Sequence, residues 1–167
     1  MLNDGVELLR ALLPIVLLVI GCAKPADHGD VRKIEQHGLQ VETPRGWTGG
    51  GAGGTYEFRS PDGTSRIRIV AVDGPLGSLK EPQLLSGTGA TATSRMLPTS
   101  PTRIGSLSAE RARFATSDGR VYDVVAVQTA RDVVLVQTSV TSERSSSDPE
   151  EVERLFRSVR QSIAPLK

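Results

Sequence analysis

The sequence is poorest in the residues that carry most metal and redox chemistry: one cysteine, two histidines and one tryptophan in 167 positions. A single thiol forms neither an intrachain disulfide nor a thiolate zinc cluster, so the stability of the domain has to come from its core. The histidines, His28 and His37, are accompanied by no Gly-x-Ser-x-Gly elbow and by no group of acids at metal-ligand spacing. We therefore expect a non-catalytic protein with no metal and no cofactor. Aromatics amount to 4%, which leaves Val, Leu, Ile and Ala to build the core. Charge of one sign is lacking too: the formal net charge is +1, which argues against nucleic acid as a partner. The apolar run at 11–20 is shorter than the roughly 20 residues that span a bilayer.

That run has the length of a signal-peptide apolar region, and Gly21-Cys22 follows it at once. A small residue before a cut and a thiol just after it is what lipid attachment requires, because the thiol receives the diacylglycerol. The stretch Val19-Ile20-Gly21-Cys22 resembles the lipobox of bacterial lipoproteins, and the lone cysteine falls at its one useful place. The segment ahead of the run departs from the usual pattern, carrying Asp4 and Glu7 against Arg10. The resemblance implies residues 1–21 as a signal peptide, cleavage between Gly21 and Cys22, and a lipid on Cys22 that anchors the chain to the cell envelope outside the cytoplasm. Ala23, in place of Asp, points to the outer membrane. Residues 22–30 read as a polar tether, and 31–167 as a single domain.

Within the domain, Leu39, Val41 and Thr43 alternate with Gln40 and Glu42 as in a half-buried strand. Pro44-Arg45-Gly46-Trp47 breaks the pattern, and Gly49–Gly54 reads as a mobile loop. That loop satisfies G-x-G-x-x-G, but a strand follows it where a nucleotide site needs a helix. Tyr56–Arg59 and Ser65–Val72 form a hairpin across Pro61-Asp62-Gly63. Segment 79–97 has the apolar spacing of a poor helix, weakened by Gly87 and Gly89, and a break follows at Pro98–Pro101. Three strands come next, Ala109–Thr116, Val121–Gln128 and Val133–Thr141. The last two are rich enough in Val and Ala to lie at the sheet centre. Ser145-Ser146-Ser147 reads as a loop. Asp148-Pro149 then opens a helix whose Val152, Leu155, Phe156, Val159 and Ile163 make one apolar stripe.

In order, these elements are a strand ending in Pro-x-Gly-Trp, a hairpin, a weak helix, a three-strand meander and a closing amphipathic helix. The layout resembles the PsbP-like family over most of 31–163, carried by Leu39–Trp47, Gly105–Thr116, Val121–Thr141 and Leu155-Phe156-Arg157-Ser158. The resemblance implies an α+β fold, a twisted antiparallel sheet flanked by helices in an α/β/α sandwich. Members of that family serve unrelated roles, so no active site follows from it.

Two groups of residues stand out as candidate sites. Arg66, Arg68, Arg111 and Arg113 would form a basic patch for an acidic envelope protein if their strands placed them on one sheet face. Trp47 would line a pocket for a small or lipidic ligand, although after Pro-x-Gly its more ordinary place is packed under the sheet.

Overall fold

The computed structural model describes residues 29–166. The signal segment, the cleavage position Gly21, the lipidation position Cys22 and His28 lie outside the described residues.

The described part opens with β1 (Asp30–Ile34) and β2 (Leu39–Thr43), joined by a 3-10 turn over Glu35–His37. Gly38 closes that turn in the left-handed region at φ 65°. There follow β3 (Thr48–Ala52), β4 (Thr55–Arg59), β5 (Ser65–Val72) and a one-turn helix α1 (Glu81–Leu84). The second half holds β6 (Ala92–Ile104), β7 (Leu107–Thr116), β8 (Arg120–Gln128) and β9 (Val133–Thr141). It ends with α2 (Ser142–Ser147), α3 (Pro149–Ser162) and a short β10 (Ala164–Pro165).

Seven strands form one antiparallel sheet in the order β3-β4-β5-β9-β8-β7-β6. The central pair is β9 and β8, and the Val- and Ala-rich sequences there are buried on both faces. On one face Ile67, Ile69, Val125, Val127, Val134 and Val136 pack beneath Val159 and Ile163 and beneath Ile34, Leu39 and Val41. The last three belong to a small sheet ordered β1-β2-β10, which together with α3 forms the covering layer. On the other face Ala112, Phe114, Val124, Ala126 and Leu135 meet Leu79, Leu84 and Leu85 from the α1 segment. The result is the expected α+β sandwich, an antiparallel sheet between two covering layers.

The helix α3 begins where the sequence says it should. Asp148 accepts the Glu151 N–H at 3.0 Å, Pro149 takes the first turn, and Val152, Phe156 and Val159 are buried.

Three local expectations are corrected. The glycine run is a strand and a turn: Gly49–Gly51 belong to β3 and pair with β4, while Gly53 and Gly54, at φ 58° and 83°, make the two-residue turn. Gly51 lies under the Tyr56 ring, which stands in for the missing side chain. Segment 79–97 is helical only over α1, and β6 runs from Ala92 straight through Pro98 and Pro101. Proline is tolerated because β6 is an edge strand with one unpaired side, and the pairing shifts register between Leu97 and Ser100. The serines at 145–147 complete α2, whose first turn is capped by the Thr141 hydroxyl accepting the Arg144 N–H.

Candidate functional site

The strand register decides what the four arginines can do. Arg113 pairs across to Asp123, Asp123 to Thr138, and Thr138 to Ile67. Arg66 pairs to Ser139, Ser139 to Tyr122, and Tyr122 to Phe114. Side chains directly opposite share a face, so Arg111 and Arg113 lie with Ile67 while Arg66 and Arg68 lie with Phe114. The expected single basic patch is therefore two separate clusters on opposite faces.

The cluster under α3 is an internal ion network. Asp123, 2% exposed, accepts from Arg111 Nε at 2.9 Å, Arg113 Nε at 3.1 Å and Arg160 Nη1 at 3.3 Å. Glu153 of α3 stands 2.8 Å from Arg113 Nη2. Burial, and after it the nearby charge of Arg111, holds the Arg160 guanidinium below its ordinary value. These arginines are committed to joining helix and sheet.

The other cluster is short of acids. Arg66 and Arg68 are half-buried on β5, and the Nε of each is buried without a hydrogen-bond partner. Arg68 Nη1 stands 3.7 Å from Glu57, which is shared with Arg59. Arg59 is itself the cross-strand partner of Arg66, a like-charge pair. Nearby Arg120 donates from Nη2 to the Thr64 carbonyl at 2.8 Å and from Nε to Ser139 Oγ at 3.1 Å. Its pKa is lowered, first by burial and then by the charge of Arg66. Tyr122 donates its hydroxyl to Asp118 at 3.0 Å, and burial together with that carboxylate pushes its pKa up to about 12. The corner is thus a sheet surface with a surplus of cations and guanidinium donors left unspent. It can take an anionic group.

Trp47 is packed, 7% exposed, beside a cleft of about 350 Å³ at one end of α3. Pro44, Pro61 and Leu155 line this cleft with Trp47, and Arg144 closes it. Arg144 is fully engaged: it donates to Thr64 Oγ1 at 2.7 Å and Ser65 Oγ at 3.0 Å, and it pairs with Glu151 at 2.9 Å. Arg32 reaches the Trp47 carbonyl at 3.1 Å and holds the Pro-x-Gly-Trp segment in place.

His37 is 2% exposed and bridges three elements. Its Nε2 meets the Gly54 carbonyl at 2.8 Å, its Nδ1 lies 3.5 Å from Asp132, and its ring sits edge-on to Tyr56. It stands at a junction of turns, with no serine bonded to it. Among the described residues there is no group of three or more His, Cys, Asp or Glu that could hold a metal, and no helix is long and apolar enough to cross a membrane.

Two participants gave little signal in the sequence. Arg120 opens β8 and Asp123 sits within its apolar run, and only cross-strand register shows what each one meets.

No protein-family model matches the chain, and no curated protein matches it. Among solved structures, the solution structure of cyanobacterial PsbP (CyanoP) from Synechocystis sp. PCC 6803 aligns with a TM-score of 0.60. That alignment covers 86% of this chain and 95% of that one at 12% identity. With the sheet order and its two covering layers, this likeness establishes that the chain has a PsbP-like fold.

Proposed function

We propose that this protein is a lipid-tethered accessory domain of the cell envelope. It is anchored through Cys22 and docks an acidic surface of a protein partner at the Arg66–Arg68 corner. The observation that carries this reading is the state of Arg66. Its guanidinium has neither a hydrogen bond nor an ion pair among the described residues, and a like charge stands directly across from it. A carboxylate brought by a partner would pair with the solvent-facing Nη ends of these guanidinium groups and offset the repulsion between Arg59 and Arg66. Arg111 and Arg113 take no part, being spent on Asp123.

A carrier role is the alternative, and the Trp47 cleft supports it. Its volume is at the low end for a ligand pocket, and its one cation already has its own partners.

The test is a pull-down from detergent-solubilised native membranes with wild type, Cys22→Ser and the double variant Arg66→Gln/Arg68→Gln, reading bound proteins and small molecules by mass spectrometry. A stoichiometric protein held by wild type and lost from the arginine variant is the expected result. Retention of the same protein by the arginine variant would reject the docking corner. A co-purified lipid without protein would favour the carrier. Wild type found soluble with an unmodified N-terminus would reject the tether.

A further inference from the structure

A separate feature lies at the other end of the same sheet face. Glu110 of β7 is 8% exposed, and its Oε2 is buried with no hydrogen-bond partner. Among the described residues its carboxylate forms neither a hydrogen bond nor an ion pair. A carboxylate withdrawn from water and left unbonded is costly, so its retention on a packed strand calls for a partner. Glu110 fronts an open cleft of about 510 Å³ between β6, β7 and the loop at Leu76-Gly77. Leu76 and Pro101 give the cleft apolar walls and Ser108 shares the face of Glu110, while Thr102 and Ala109, cross-strand partners, alternate to the opposite face. The loop backbone at Gly77, whose φ of 90° suits glycine, runs beside the carboxylate: a Cβ there would be in ordinary contact with Glu110 Oε1 at 3.6 Å.

From this arrangement we infer that the cleft binds an alkylammonium cation, its charge on Glu110 and its methylene chain along Leu76 and Pro101. An ammonium brings three donors and no acceptor. That suits a carboxylate with the Ser108 hydroxyl on its own face of the strand. Arg103 also lines the cleft but is exposed and makes no ion pair with Glu110. Its cross-strand partner Ser108 lies on the face of Glu110, so Arg103 shares that face and would compete with an ammonium for the carboxylate. The same chemistry is offered by a free amine and by a lysine side chain of a peptide.

The experiment is a nuclear magnetic resonance titration of the full chain in detergent micelles, following the amides of Gly77, Thr102 and Ser108. The probes are n-butylammonium chloride, a short peptide with one lysine, and tetramethylammonium chloride, which has no N–H. Saturable shifts with n-butylammonium or with the peptide are expected. Saturation by the free amine identifies a small-molecule site, and saturation by the peptide alone identifies a lysine-bearing partner. Glu110→Gln should weaken binding about tenfold or more while keeping its dispersed spectrum. Glu110→Asp, with shorter reach, should weaken it less, and Arg103→Gln should strengthen it. Equal binding by Glu110→Gln, equal binding of tetramethylammonium, or no saturable shift in both wild type and Arg103→Gln would overturn the inference.

Discussion

The guanidinium of Arg113 lies 4.8 Å from the centre of the Phe156 ring, so β7 and α3 meet through a cation on an aromatic face. That contact is held in place by Asp123, which orients Arg113 from below. Removing the carboxylate would leave Arg111, Arg113 and Arg160 facing one another in a half-buried space with only Glu153 between them. Asp123→Asn should therefore cost about 3 kcal/mol of stability, read as a lowered urea midpoint. An unchanged midpoint would mean that the network contributes nothing to the helix–sheet junction.

The edge strand β3 offers a matched pair of substitutions. Gly49 has φ 145°, and a Cβ there would stand 2.0 Å from the Glu57 carbonyl oxygen, whereas a Cβ on Gly50 meets nothing within 4 Å. Gly49→Ala should destabilise by about 1–3 kcal/mol, while Gly50→Ala should be neutral or slightly stabilising. Thermal unfolding of the two variants side by side checks this, and equal losses would show that β3 does not hold its pairing with β4.

Acid should weaken the turn at Asp62. The Ser60 hydroxyl, the Thr64 N–H and then the charge of Arg144 hold its pKa below the ordinary 3.8. The folded value is lower than the unfolded one, so the carboxylate's stabilisation is complete above the unfolded value and is lost as pH falls through the folded value. The urea midpoint of wild type should exceed that of Asp62→Asn at neutral pH, and the two should converge below pH 3.8. A constant gap down to the acid limit would contradict this assignment.

At the alkaline end the sign reverses. Tyr122 ionises near 12 in the folded chain, because burial and Asp118 both oppose the phenolate. The folded state thus gains from the neutral phenol below an unfolded value of roughly 10, and that gain disappears as pH rises through the folded one. Absorbance titration at the tyrosinate band should show Tyr122 titrating late, and Tyr122→Phe should remove that late step. A wild-type protein whose tyrosines both titrate near 10 would contradict it.

Local signals told most about single elements. Asp148-Pro149 and the stripe from Val152 to Ile163 are helix instructions written within fifteen or so residues, and α3 follows them. The apolar runs of β8 and β9 likewise announced the sheet centre. Alternation also told the two sides of each strand apart: Ile67 and Ile69 against Arg66 and Arg68, Ala112 and Phe114 against Arg111 and Arg113. What alternation cannot carry is the relation between strands. Whether Arg68 shares a face with Arg113 depends on the register of β5 on β9, β9 on β8 and β8 on β7, and the arginines fell on opposite faces. The β6 prolines and the β3 glycines misled for a related reason, since an edge tolerates residues that a central strand would reject.

The place of β5 beside β9 has a further consequence, for how the chain reaches this fold. β3, β4 and β5 follow one another in sequence and in space, as do β6, β7, β8 and β9, so each set assembles from neighbours along the chain. Among the described strands only the seam of Ser65–Val72 against Val133–Val140 pairs one set with the other, and closing it loops out the whole of 73–132. Folding then has a nonlocal bottleneck with a definite location. Weakening the seam should slow folding, and weakening the outer hairpins should mainly hasten unfolding.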